Sequence, residues 1–132
     1  MTEKKSYDQR LKEWEKARFS PAPEPDLNPF PASLTEKVAM TDGTKLYTEI
    51  FLPSLENKSF PTILIRSPYP FGRPSRHERI SIPRYLASGY VVVFQLTRGQ
   101  GLSEGVFHMF SDDADDGDDC IEWVAQQAWC DG

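Results

Sequence analysis

Two short, unbroken apolar runs organise this sequence. They are Thr62-Ile63-Leu64-Ile65 and Tyr90-Val91-Val92-Val93-Phe94. Runs of this length, without polar alternation, suit strands covered on both faces, as in a parallel sheet. Between them Ile82, Tyr85, Leu86 and Ala87 fall on one helical face, and Gly89 stands where a helix C-cap glycine belongs. The pattern predicts a strand–helix–strand unit with a right-handed crossover. Upstream, residues 36–53 predict a hairpin. Val38, Ala39 and Met40 lead into Asp42-Gly43, a pair suited to a tight turn, and Leu46, Thr48 and Ile50 then alternate with Tyr47, Glu49 and Phe51 up to Pro53.

A last element is predicted over 112–127. Ser111 is a suitable N-cap. Asp112, Asp113, Asp115 and Asp116 lie in the first turns, where the helix dipole favours negative charge. Ala114, Gly117, Ile121, Val124 and Ala128 recur at helical spacing and predict the buried face. At the other end, Leu11 and Trp14 share one face of a short amphipathic helix predicted within residues 6–19. Pro21, Pro23, Pro25, Pro29 and Pro31 then favour an extended tether. Residues 1–33 therefore read as an N-terminal extension, either laid across the body or frayed, and residues 34–132 as a partial domain.

Composition narrows the function classes. A length of 132 residues fits one domain. The net charge of −5 and the lack of a basic stripe argue against nucleic acid. No apolar run approaches the ~20 residues of a membrane helix. The charged N-terminus carries no secretory signal pattern. The two cysteines, Cys120 and Cys130, make neither a disulfide framework nor a metal spacing, so a reduced, cytoplasmic setting is expected.

Three stretches carry a family resemblance: Met40-Thr41-Asp42-Gly43-Thr44-Lys45-Leu46, Ile65-Arg66-Ser67-Pro68-Tyr69, and the run from Ala87-Ser88-Gly89-Tyr90 through Arg98-Gly99-Gln100-Gly101-Leu102-Ser103-Glu104-Gly105 to Trp129-Cys130-Asp131-Gly132. In their order and spacing they resemble the cocaine-esterase and X-prolyl dipeptidyl-peptidase (CocE/NonD) group of α/β-hydrolases over roughly residues 36–132. The resemblance implies an α/β fold, the N-terminal half of an α/β-hydrolase: an antiparallel hairpin leading into a parallel βαβ unit and a following helix, broken off before the nucleophile strand. It departs from the group's pattern at Leu96, where relatives carry an aspartate two residues before the Arg-Gly of the loop, a carboxylate suited to orienting Arg98.

The resemblance also implies a chemistry. The group cleaves esters and amides with a Ser-His-Asp triad, and the tyrosine of its Pro-Tyr pair offers a hydroxyl to the oxyanion. That position is Tyr69. It lies just past the C-terminal end of a predicted parallel strand, the rim where open α/β sheets place ligands, and a buried phenol there is a preorganised donor. Gly101-Leu102-Ser103-Glu104-Gly105 spells G-x-S-x-G, but a nucleophile elbow needs a strand directly into the motif and a helix directly out. Here Leu96 to Gln100 intervene before it and Val106-Phe107-His108-Met109-Phe110 follow, so Ser103 is not expected to be the nucleophile.

His77, in the charged stretch Arg76-His77-Glu78-Arg79, reads as a solvated loop residue, and His108 as a strand or loop residue. Neither is assigned to a triad, which the resemblance places beyond this chain. The acidic cluster Asp112 to Asp119 fails the calcium-loop pattern, with Ala114 third and Trp123 twelfth, and reads as a solvated helix start. No metal and no cofactor is expected. The expected partner is a small-molecule ester or amide substrate of the complete enzyme, with neither nucleic acid nor membrane, and the oligomeric state stays open. A chain lacking the neighbouring strand is expected to expose the edge of Thr62 to Ile65 and to be marginal and aggregation-prone. Two alternatives are a non-catalytic interaction module built on the half-sheet and a small esterase using Ser103.

Overall fold

The computed structural model describes residues 31–70 and 76–132, together with Gln9 and Lys12. The helix expected within 6–19, the proline-rich stretch before Pro31 and the side chain of His77 lie outside the described residues. Strands β1 (Leu34–Ala39), β2 (Lys45–Phe51), β3 (Thr62–Ser67) and β4 (Val91–Leu96) form one sheet in the order β1-β2-β4-β3. The hairpin β1–β2 is antiparallel, β2 pairs antiparallel with β4, and β3 runs parallel to β4. Helices α1 (Arg76–Arg79) and α2 (Ile82–Ala87) fill the crossover, and α3 (Asp113–Ala125) follows β4. Among the described residues no helix is long and apolar enough to cross a membrane.

The run Tyr90–Phe94 becomes a fully buried strand because both faces of the sheet are covered there. Ile50, Val91 and Val93 point to one face and pack with Cys120 and Val124 of α3. Phe51, Val92, Phe94 and Leu96 point to the other and pack with Ile82, Tyr85 and Leu86. This is a helix–sheet–helix sandwich, and every residue of β4 is buried. As a central strand, β2 is buried on both faces from Thr48 to Phe51.

Three local expectations change. The residues 76–79 expected as loop form the short helix α1. Asp112, not Ser111, caps α3, and it does so without a side-chain hydrogen bond. The buried line of α3 is Asp116, Cys120 and Val124, whereas Ala114, Ile121 and Ala128 are exposed. Apolarity alone mis-sets this helix because Asp116 turns inward to meet Arg98, and the ion pair fixes the rotation. The acidic start is thus only partly solvated.

Beyond β3, among the described residues, pairing is a single parallel bridge between Phe60 and Cys130. Phe60 donates its N–H to the Trp129 carbonyl (2.9 Å) and accepts from Asp131 N–H (3.1 Å). From Thr62 to Arg66 the strand is only half-buried. Thr62 and Leu64 share an apolar groove with Ile121, Val124 and Cys130 on this side of the sheet.

Candidate active-site rim

The C-terminal ends of the parallel pair β3 and β4 open onto a cleft of about 420 Å³ lined by Arg66, Pro68, Tyr69, Thr97, Phe107, Met109, Phe110 and Asp113. Tyr69 follows β3 by two residues, so it stands at the carboxyl rim of adjacent parallel strands. It is 48% exposed rather than buried. Its backbone is fixed from below. Ser67, fully buried, accepts the Tyr69 N–H on its hydroxyl (3.1 Å) and donates that hydroxyl to Glu78 of α1 (2.7 Å). The Ser67-Pro68-Tyr69 corner is therefore locked to the crossover helix, while the phenol ring faces the cleft.

A polar row supports the same rim. Thr48, Gln95 and Arg66 occupy one cross-strand line over β2, β4 and β3. Gln95 Nε2 donates to Thr48 Oγ1 (3.1 Å), Arg66 Nε donates to Gln95 Oε1 (2.9 Å), and Arg66 Nη1 donates to the Asp113 carbonyl (3.0 Å) and to its carboxylate (3.2 Å). These hydrogen bonds hold the row together, although among the described residues the buried Arg66 Nη2 has no hydrogen-bond partner and lies 4.0 Å from an Asp116 oxygen. The row ties the start of α3 to the end of β3 and makes the floor of the cleft. Sequence reasoning missed it. The available signal was a lone glutamine inside an apolar run and an arginine closing a strand, but their alignment needs the strand order.

On the β2 side the glycine-rich loop forms a second polar assembly. Arg98 donates from Nε and Nη2 to both oxygens of Asp116 (3.0 and 2.7 Å), and from Nη1 to Asp42 and Thr44 (2.7 Å each). The bidentate pair is of the strong, geometrically specific kind. Asp116 and Asp42 thus do what a carboxylate at position 96 was expected to do, and Leu96 is free to be core. Hydrogen bonds from Arg98 and Thr44 hold the Asp42 carboxyl down at about 2, and the two carboxylates hold the guanidinium's pKa above its ordinary value. Asp119 accepts from the Thr41 N–H (2.7 Å) and hydroxyl (2.6 Å), which likewise lowers its pKa. These acids line a hollow of about 460 Å³, yet among the described residues no group of three or more His, Cys, Asp or Glu is placed to hold a metal ion.

The G-x-S-x-G serine belongs to this loop and is occupied. Ser103 is 8% exposed, donates its hydroxyl to the Leu96 carbonyl (2.8 Å) and accepts from Tyr47 N–H (2.8 Å). It staples the loop to β2 and β4. Gly99, at φ +74°, is required there, since a Cβ would lie 2.2 Å from the Phe107 nitrogen. His108 is exposed, 3.6 Å from Asp112, and it is not among the hydrogen-bond partners of Ser103. Cys120 is fully buried, and that burial pushes its thiol up to about 11, so it serves as core.

With this geometry in hand, comparison with known proteins decides the family. The model of the X-Pro dipeptidyl-peptidase (S15) family matches residues 42–132. The chain belongs to this family. It is 35% identical over 99 residues to the cocaine esterase of Rhodococcus sp. (strain MB1 Bresler), a match that takes in 72% of this chain and 17% of that one. The crystal structure of an aminopeptidase from a marine sediment Thaumarchaeota archaeon aligns at TM-score 0.60 and 27% identity, covering 83% of this chain and 21% of that one. A CocE/NonD family hydrolase from Staphylococcus aureus aligns at TM-score 0.60 and 27% identity, over 74% of this chain and 20% of that one. The four-stranded sheet is thus the N-terminal part of an α/β-hydrolase-like fold, and the chain spans about a fifth of the length of these relatives.

Proposed function

We propose that this chain forms the oxyanion side of a serine hydrolase acting on esters or amides, with the Tyr69 hydroxyl as donor and with the nucleophile, histidine and aspartate supplied by sequence outside these 132 residues. The observation that carries the reading is the position of Tyr69. It stands at the carboxyl rim of β3 and β4, its backbone fixed by Ser67 and Glu78 and its ring in the cleft. A hydroxyl donor aimed at that rim would stabilise the negative charge that develops on a carbonyl oxygen during acyl transfer. Family membership and the esterase and peptidase relatives support the reaction class.

The attacking hydroxyl is then not Ser103, whose Oγ already donates to one partner and accepts from another inside the sheet. The parallel bridge Phe60–Cys130 on the outer side of β3 supports this reading, because a further parallel strand entered there would carry an attacking serine to the same rim. Fluorophosphonate labelling tests this division of labour. The 132-residue chain is expected to stay unlabelled, and the longer protein that the proposal requires is expected to label at a serine outside it. Labelling of Ser103, abolished by Ser103→Ala, would overturn the reading in favour of a small esterase.

A further inference from the structure

A charge pair is buried in the apolar sheet face that carries the crossover. Arg79 Nη2 lies 2.7 Å from Glu49 Oε2, and the two side chains are 16% and 6% exposed. Glu49 stands opposite Phe94 in the β2–β4 register, and the Arg79 guanidinium lies over the Phe94 ring, 4.1 Å from its centre. Phe51, Ile65, Ile82 and Val92 make the rest of that face apolar. A pair buried in this way gains attraction but loses hydration, and apolar residues of similar size commonly give equal or greater stability. Stability alone therefore does not account for the pair. What a guanidinium–carboxylate contact adds is direction. Helix α1 is one turn, Arg76–Arg79, and a single turn has no helical stability of its own. Its orientation is set by what its side chains meet.

We infer that Arg79 and Glu49 are positioning residues for the oxyanion donor. The inference rests on the hydrolase reading and extends its machinery from the rim to the central strand β2. Consecutive helical residues point about 100° apart, so fixing Arg79 against β2 and β4 fixes the direction of Glu78. Glu78 accepts the Ser67 hydroxyl (2.7 Å), and the same hydroxyl oxygen accepts the Tyr69 N–H (3.1 Å). The path runs from Glu49 through Arg79, Glu78 and Ser67 to Tyr69. It crosses from β2 over β4 to the end of β3. Stacking on Phe94 restrains the plane of the guanidinium as well as its place. Glu49, Phe94 and Ser67 are buried within the described residues, so the path does not depend on what covers the outer surfaces. Neither Arg79 nor Glu49 lines the cleft at Tyr69, and their effect on a reaction there is exerted only through that corner.

Replacing the pair by apolar residues separates positioning from stability. Arg79→Met combined with Glu49→Leu keeps the face filled and leaves no single buried charge, so the urea midpoint of the 132-residue chain is expected to hold or rise. Amide hydrogen exchange followed by NMR then reads the corner. The Tyr69 amide is expected to exchange about tenfold faster in the double variant, the factor one hydrogen bond is worth, while the amides of β4 exchange as before. Glu49→Gln is a gentler second variant that keeps the shape and removes the charge, and it is expected to speed Tyr69 exchange several-fold. Arg79→Lys keeps a cation opposite Glu49 and is expected to retain most of the protection. In the longer protein that the hydrolase reading requires, the double variant is expected to lower kcat about tenfold or more with KM nearly unchanged. Unchanged Tyr69 exchange in both the double variant and Glu49→Gln, or an acceleration shared by the β4 amides, would overturn the positioning role. Exchange needs no turnover, so a failed hydrolase reading leaves this result standing, and unchanged exchange leaves the Tyr69 assignment standing.

Discussion

The two ends of the loop region that follows β4 obey opposite rules. On the β2 side, the polar atoms of Arg98, Asp116, Asp42, Thr44 and Ser103 meet one another or a backbone group, and the glycines let the chain close around them. On the β3 side, a few residues later, large apolar side chains stand in solvent on a strained backbone beside a strand with little pairing on its outer edge. The first end is complete within these residues. The contrast teaches where stability and function are divided: the clasp holds the sheet end rigid so that Tyr69 and the wall of the cleft can remain open.

Mutations sharpen that contrast in order of size. Arg98→Leu leaves the buried Asp116 carboxylate without its main partner. Breaking a buried pair from one side is expected to cost about 3–5 kcal/mol, read as a lowered urea midpoint at unchanged m-value. A loss below about 1 kcal/mol would mean that the clasp is no more than a surface ion pair. On the open side the sign reverses. Phe110→Gly removes left-handed strain and an exposed ring, and is expected to raise stability by about 0.5–1 kcal/mol. Clear destabilisation would show the Phe110 ring to be held by packing that its exposure does not reveal.

The smallest effect is a proton. The Asp42 carboxyl is held down to about 2 from 3.8, chiefly by its hydrogen bond from Arg98. A carboxyl lowered in the folded state contributes stability that is complete above its unfolded value of 3.8 and is lost as pH falls towards about 2. Carboxyl-carbon NMR is expected to show Asp42 titrating well below an ordinary aspartate, and to return to the ordinary range in Arg98→Leu. An ordinary titration in the unsubstituted chain would separate Asp42 from the clasp.

How much of this was legible beforehand follows from the kind of force involved. The runs Thr62–Ile65 and Tyr90–Phe94 announced β3 and β4 through unbroken apolarity, which burial on both faces explains for β4, whereas β3 is only half-buried from Thr62 to Arg66. The hairpin was legible from Asp42-Gly43, but the burial of its second strand on both faces was not, because its central place depends on β4 pairing beside it. The face of α3 was misread because one ion pair, Arg98 to Asp116, outweighs the apolar periodicity of Ala114, Ile121 and Ala128. The Thr48–Gln95–Arg66 row and the exposed Phe110 were invisible, since both depend on strand order and loop closure rather than on local pattern. Tyr69 was singled out through the Arg-Ser-Pro-Tyr stretch, and the structure places it at the rim of two parallel strands with its ring half in solvent.

The most direct test of the central claim removes one oxygen. In the longer protein that the proposal requires, Tyr69→Phe keeps the ring and the Ser67 contact to its backbone, and deletes only the hydroxyl. If that hydroxyl stabilises the oxyanion, kcat falls about 10²–10³-fold with KM and thermal stability nearly unchanged. An unchanged kcat, or a loss that tracks lowered stability, would contradict the account.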